Sequence, residues 1–119
     1  MDTLEQYRQL IRNILIEHTK TPFSTGDIQF ETVFDSEQDR YLVMILGREP
    51  AYDFSPTVTR RVHGCLIHVD IIDGKIWIQR DGTEDGVAAE LVNAGVPKNQ
   101  IVLGFRSEEL RQDSEFAIA

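Results

Sequence analysis

Between His68 and Gly86 the chain reads HVDIIDGKIWIQRDGTEDG, nineteen residues that hold five acidic side chains, a histidine and the single tryptophan of the sequence. Several chemistries draw on such a set. His68 and Asp70 stand two apart, so on a strand they share a face, and imidazole plus carboxylate suits zinc, manganese or iron. A third strong ligand is then required. Gln79 is the other neighbour on that face with a side-chain oxygen, and an amide is a poor ligand. His63 has opposite parity to His68 and is expected on the opposite face. The expectation is a hydrogen-bonded surface pair, with no metal and no cofactor.

The hexapeptide Asp81-Gly-Thr-Glu-Asp-Gly86 opens like a calcium loop, with acids at its first and fifth positions and glycine at its sixth. The bidentate glutamate required at the twelfth position falls on Val92, within the buried stripe of a helix, so the hexapeptide reads as a helix cap. Asp73-Gly-Lys75 has the acid-x-lysine ending of a metal nuclease motif, but Asp73 is needed for a turn and only Asp70 stands near as a further carboxylate. Cys65 shares parity with Ile67 and reads as a buried thiol, not a nucleophile. Gly82 and Gly86 fit neither phosphate-loop spacing, and no nucleophile elbow is present. The residue chemistry points away from an enzyme.

A turn positions this set. Asp73-Gly74 between two β-rich runs is the strongest short-range signal for a two-residue type I′ hairpin. That loop pairs Ile72 with Lys75, Ile71 with Ile76, Asp70 with Trp77, Val69 with Ile78 and His68 with Gln79. One face then shows Ile67, Val69, Ile71, Ile76 and Ile78, a core surface. The other shows His68, Asp70, Ile72, Lys75, Trp77 and Gln79. Trp77 there leaves two alternatives open: a helix covers this face as well, or the indole is exposed and marks a contact surface.

Around the hairpin, apolar spacing over residues 3–19 draws an amphipathic helix capped by Asp2 or Thr3 and ended by Thr21-Pro22. Ser24 to Asp27 is loop composition. Ile28–Phe34 alternates as a half-buried strand. Arg40–Leu46 is apolar on both faces, as in a central strand covered on two sides. Residues 48–59, REPAYDFSPTVT, carry two prolines and read as a long surface loop. A second helix is expected from about Glu84, ended by a left-handed cap at Gly95, with a short strand at 101–105 and one helical turn at 107–111. The apolar tail 115–119 is expected to dock.

At 119 residues, 41% of them hydrophobic, the chain is one domain over 1–119. Its formal charge of −8, from 20 acidic and 12 basic residues, opposes the phosphate attraction behind non-specific nucleic-acid binding and suits a basic partner. Direct nucleic-acid contact is therefore disfavoured. One cysteine permits no internal disulfide and fits a reducing cytoplasm. No signal-peptide run or membrane-length apolar segment is present.

The run from Arg61 to Gly86, together with Glu90-Leu-Val92, Val96-Pro-Lys98 and Ile101-Val-Leu103, resembles the XisI family. These are the fdxN-element excision controlling factors, found mainly in cyanobacteria. The Tyr7–Ile11 helix and the Phe34-Asp35 to Asp39–Leu42 hairpin are similar as well, so the likeness covers nearly the whole chain. The long DGKIWIQRDGTE segment (73–84) is its most specific part. Two places depart from the family pattern: the loop 48–59 is longer than expected, and Phe105–Leu110 replaces a more proline-rich stretch.

The resemblance implies a non-enzymatic accessory role in programmed excision of a DNA element, with an XisH-like, nuclease-like companion protein as partner. It supplies no catalytic residues. Residues and resemblance together give an α+β domain with a mainly antiparallel meander sheet of four or more strands and two principal helices. Trp77, His68, Asp70 and Gln79, with Arg80 at the strand's end, are the expected partner contacts. A homo-oligomer is compatible with this reading. The rivals are a metal-dependent nuclease using His68 and Asp70, and a direct DNA-binding regulator.

Overall fold

In the computed structural model, which describes residues 2–20, 27–51, 53–54 and 57–119, helix α1 (Thr3–His18) leads into strands β1 (Asp27–Asp35), β2 (Arg40–Pro50), β3 (Thr59–Ile72) and β4 (Lys75–Asp81). Helix α2 (Val87–Asn93), a 3-10 turn (Lys98–Gln100), strand β5 (Ile101–Leu103) and the short helix α3 (Glu108–Gln112) follow. The five strands form one sheet in the order β1-β2-β3-β4-β5, antiparallel except for the parallel β4–β5 pair. The fold is α+β. The parallel strand follows from the helix inserted between β4 and β5, since a crossover returns the chain in its original direction.

α1 is positioned by its own stripe. Asp2 caps it, accepting from the Leu4 amide at 3.0 Å, and Ile11 and Leu15 are buried with Leu4, Tyr7, Leu10 and Ile14 packed around them. The expected stop at Thr21-Pro22 and the loop residues Ser24–Gly26 lie outside the described residues. Asp27 is not loop; it pairs with Arg48 as the first residue of β1. α1 and α2 share one side of the sheet, sealing Tyr41, Val43, Ile67, Val69, Ile71, Ile76, Ile78, Ile101 and Leu103 beneath them. Burying that many branched side chains, at about 1.5–3 kcal/mol each, is the main driving force of the fold. β2 is covered by helices on this side only. On its second face Leu42, Met44 and Leu46 are half-buried.

The long surface loop expected at 48–59 is strand at both its ends, Arg48–Pro50 belonging to β2 and Thr59 to β3. Arg48, Glu49 and Pro50 pair with Arg61, Arg60 and Thr59, so β2 and β3 project as a two-stranded arm. Pro50 is tolerated because it ends its strand, where a missing ladder donor costs little. Cross-strand groups fasten the arm: Arg48 Nε donates to Thr59 Oγ1 at 2.8 Å, and Arg60 reaches Asp53 at 2.5 Å and Glu49 at 3.7 Å.

α2 begins three residues later than the acidic cap signal suggests. Glu84 and Asp85 form a bend before it, and Asp81 organises that bend: its carboxylate accepts from the amides of Thr83 at 3.0 Å and Val87 at 2.7 Å. Gly95, at φ +106°, closes α2 as expected, with the Val96 amide bonded to Leu91 O at 3.0 Å. The tail docks too. Ala117 bridges the outer side of β5 at Val102, and Phe116 packs against the core. Among the described residues no helix is long and apolar enough to cross a membrane.

Candidate functional site

The hairpin turn forms as its sequence dictates: Asp73 and Gly74 both adopt positive φ, at 51° and 80°, as a type I′ turn requires. The four pairs nearest it, from Ile72–Lys75 to Val69–Ile78, match the expected register. His68 does not. It pairs with Arg80 instead of Gln79, because a bulge on β4 places Gln79 and Arg80 together opposite His68. The extra residue keeps Gln79 on the second face, where it reaches Asp70.

Asp70 is the centre of this face. Its side chain is 13% exposed, and His68 Nε2 lies 2.8 Å from Oδ1 while the Gln79 amide donates to Oδ2 at 3.3 Å. Both carboxylate oxygens are thus engaged by neighbours. A nearly buried carboxylate satisfied from two strands works as a strut that fixes the imidazole and the amide. Among the described residues no group of three or more His, Cys, Asp or Glu side chains is arranged to hold a metal ion.

A second bulge alters the rest of β3. Val43 pairs with Ile67 but Met44 pairs with Cys65, leaving Leu66 as the extra residue. Parity does not carry across it. Cys65 falls opposite Met44, half-buried, with burial raising its thiol pKa and weakening it as a nucleophile. His63, paired with Leu46, shares the face of His68, which is paired with Leu42. The expectation of opposite faces is therefore corrected, although four rungs, about 13 Å, separate the two rings along the strand.

Trp77 is neither fully covered by a helix nor fully exposed. It is half-buried beside Val102 of β5, and the Arg111 guanidinium of α3 lies over its ring at 5.4 Å. The five expected contact residues are thus brought to one face. His68, Asp70, Gln79 and Trp77 form a continuous set, and Arg80 is exposed at its margin, its Nε donating to Cys65 O at 2.8 Å. Gly104 presses on this set from β5's end: a Cβ there would sit 2.6 Å from Gln79 Oε1.

Sequence reasoning missed a polar anchor at the other side of the sheet. Arg8 of α1 grips Asp39 through Nε–Oδ1 at 2.7 Å and Nη2–Oδ2 at 3.2 Å, and the hydroxyl of buried Tyr41 donates to Asp39 Oδ1 at 3.0 Å. The Arg8 hydrogen bonds hold the Asp39 carboxyl below the usual carboxylate range, while burial, with Asp39 beside it, pushes Tyr41 up to about 12. A signal existed in Asp39 standing at a polar turn. Its partner 31 residues away did not announce itself. A separate apolar cleft of about 470 Å³ lies between α2 and the tail, walled by Ala88, Val92, Leu103, Phe105 and Phe116 with Lys98 and Arg106. His68, Asp70 and Trp77 are not among its walls.

With this geometry in place, comparison with known proteins is specific. The family model described as XisI protein matches residues 1–118. A crystal structure of a XisI-like protein from Anabaena variabilis is 32% identical, with a TM-score of 0.84 over 98% of this chain and 100% of that one. The crystal structure of fdxN element excision controlling factor XisI from Anabaena variabilis is 29% identical, with a TM-score of 0.80 over 99% of this chain and 100% of that one. No curated protein matches.

Proposed function

We propose that this chain, which belongs to the XisI family, is a non-enzymatic controlling factor for programmed excision of a DNA element and acts by gripping a protein partner. The name of its Anabaena variabilis structural relative supports the controlling role. The single observation that carries the protein-binding mode is the second face of the β3–β4 hairpin. There the one tryptophan and Arg80 flank an Asp70 whose two oxygens are engaged by His68 and Gln79. A carboxylate engaged in this way holds a surface rigid and is poorly placed to recruit an ion, whereas aromatic and arginine side chains on a rigid surface are what binding hot spots are made of.

The partner is an XisH-like nuclease protein, and the charge of −8 suits a basic, nucleic-acid-binding surface on it. The test is a pull-down of an XisH-like protein with wild-type chain and with Trp77→Ala and Arg80→Glu. Each variant is expected to weaken capture by about 10-fold or more, the range of a hot-spot residue. Capture unchanged by both variants refutes the assigned face. Manganese-dependent DNA cleavage by the pure chain, lost in Asp70→Ala, would overturn the non-enzymatic reading.

A further inference from the structure

The second face of β1, β2 and β3 extends beyond the proposed contact set, and its residues fall into three columns. Along β2 run Leu42, Met44 and Leu46, half-buried, while α1 and α2 occupy the opposite side of the sheet. Opposite them on β1 stand Val33, Glu31 and Gln29, with Asp27 beside Arg48 at the end. On β3 the partners are His68, Cys65 and His63, with Arg61 opposite Arg48. Asp27, Gln29, Glu31, Leu46, Arg48 and Arg61 line one shallow hollow of about 270 Å³, which places their side chains on the same surface. The β1 column is acidic and the β3 column basic, with an apolar stripe between them. Asp27 and Glu31 make no ion pair among the described residues.

The shape agrees with a surface waiting for cover. The radius of gyration is 16.2 Å, against about 13.5 Å for a compact chain of this length. The projecting β2–β3 arm accounts for the excess. On this surface Val33 is 50% exposed.

We propose that two copies of the chain pair through this face, about a two-fold axis running along β2. Rotation about that axis lays the β1 column of each copy over the β3 column of the other. Asp27 then meets Arg61 of the second copy, Gln29 meets His63, and Leu46 and Met44 meet their own counterparts. A two-fold axis across the strands would stack acid on acid, so the charge pattern selects one of the two orientations. A self-complementary patch of this kind is what an isologous dimer requires. Arg48 would face its own copy near the axis, but its guanidinium is turned aside, with Nε on Thr59 Oγ1 at 2.8 Å and Nη2 on Thr59 O at 3.1 Å. Nine rungs at about 3.3 Å and three strands at about 4.8 Å cover roughly 400 Å² per copy in plan. That is a small interface, so association in the micromolar range is expected.

The chain alone, in sedimentation equilibrium from about 5 to about 500 µM, is expected to shift from its 13.6 kDa mass toward twice that value. Arg61→Glu, at an exposed position where folding is checked by circular dichroism, should raise the dissociation constant by about 10-fold or more. Asp27→Arg combined with Arg61→Glu should restore the dimer, because both swapped contacts re-form across the axis. A chain that stays monomeric throughout overturns the proposal and leaves the face to a partner of different sequence. A dimer indifferent to Arg61→Glu and to Leu46→Glu overturns the assigned face, and a double variant that fails to recover overturns the axis. None of these outcomes depends on the nuclease-like partner.

Discussion

Replacing Asp70 with alanine removes the acceptor of two donors at once. The His68 bond at 2.8 Å is short and the Gln79 bond at 3.3 Å is weaker. Hydrogen bonds to a charged group contribute about 1.5–3 kcal/mol each when well formed, and an unsatisfied buried donor costs about 1–3 kcal/mol. Water reaches His68, whose side chain is 31% exposed, and recovers part of that loss. The Asp70→Ala variant should therefore lose about 2 kcal/mol. In urea, with a slope of about 1.5 kcal/mol per molar, the unfolding midpoint should fall by about 1–1.5 M at unchanged slope. Asp70→Asn, which keeps the volume and one acceptor, should lose about half as much. Equilibrium unfolding followed by Trp77 fluorescence measures both, since Trp77 is the only tryptophan. A midpoint shifted by less than about 0.2 M would refute the strut reasoning, because a carboxylate that contributes nothing to stability is free for other chemistry.

Two further perturbations probe the frame. Asp39→Asn should lower the melting temperature by about 5 °C at neutral pH. The wild-type carboxyl is held low by Arg8, so its contribution is complete above the unfolded value and lost as pH falls through the folded one. The gap between variant and wild type should therefore narrow steadily as pH falls from neutral through the acid range, and a gap that stays constant down to acid unfolding contradicts the linkage. Gly47→Ala places a Cβ 1.9 Å from Asp27 O at φ +153°, so the β1–β2 ladder should open at that end. Amide exchange at Asp27 to Gln29 should lose protection by about 10-fold or more, and retained protection would show that the strand shifts to accommodate the methyl.

How far the sequence carried depended on what marks each element. Asp73-Gly74 fixes both turn type and register over Val69–Ile78, because few dipeptides tolerate two positive φ values, and that stretch is as expected. The register fails beyond it, at Gln79 and Leu66. A bulge shows no residue-level mark when apolar or amphipathic side chains stand on both sides of it, so parity arguments crossing position 66 misplaced Cys65 and His63. The β2–β3 arm was hidden by Pro50 and by its charges. Arg48, Glu49, Arg60 and Arg61 look like loop residues until their pairing across the arm is seen. The five contact residues do share a face, and Arg80 reached it through a bulge that strict alternation did not contain. The family likeness was legible because the segment Asp73–Glu84 is long and uninterrupted, and the family match over residues 1–118 bears it out.

Ala117, bridged to Val102 on the outer side of β5, has one further consequence. That margin of the strand ladder is stoppered by a stretch of chain too short and irregular to template another molecule. Fibril-like growth by edge addition needs two open margins, one to receive and one to offer. Among the described residues β1 and the arm portion of β3 (Thr59–Gly64) keep open margins, so misdirected pairing is confined to those two places and excluded from β5.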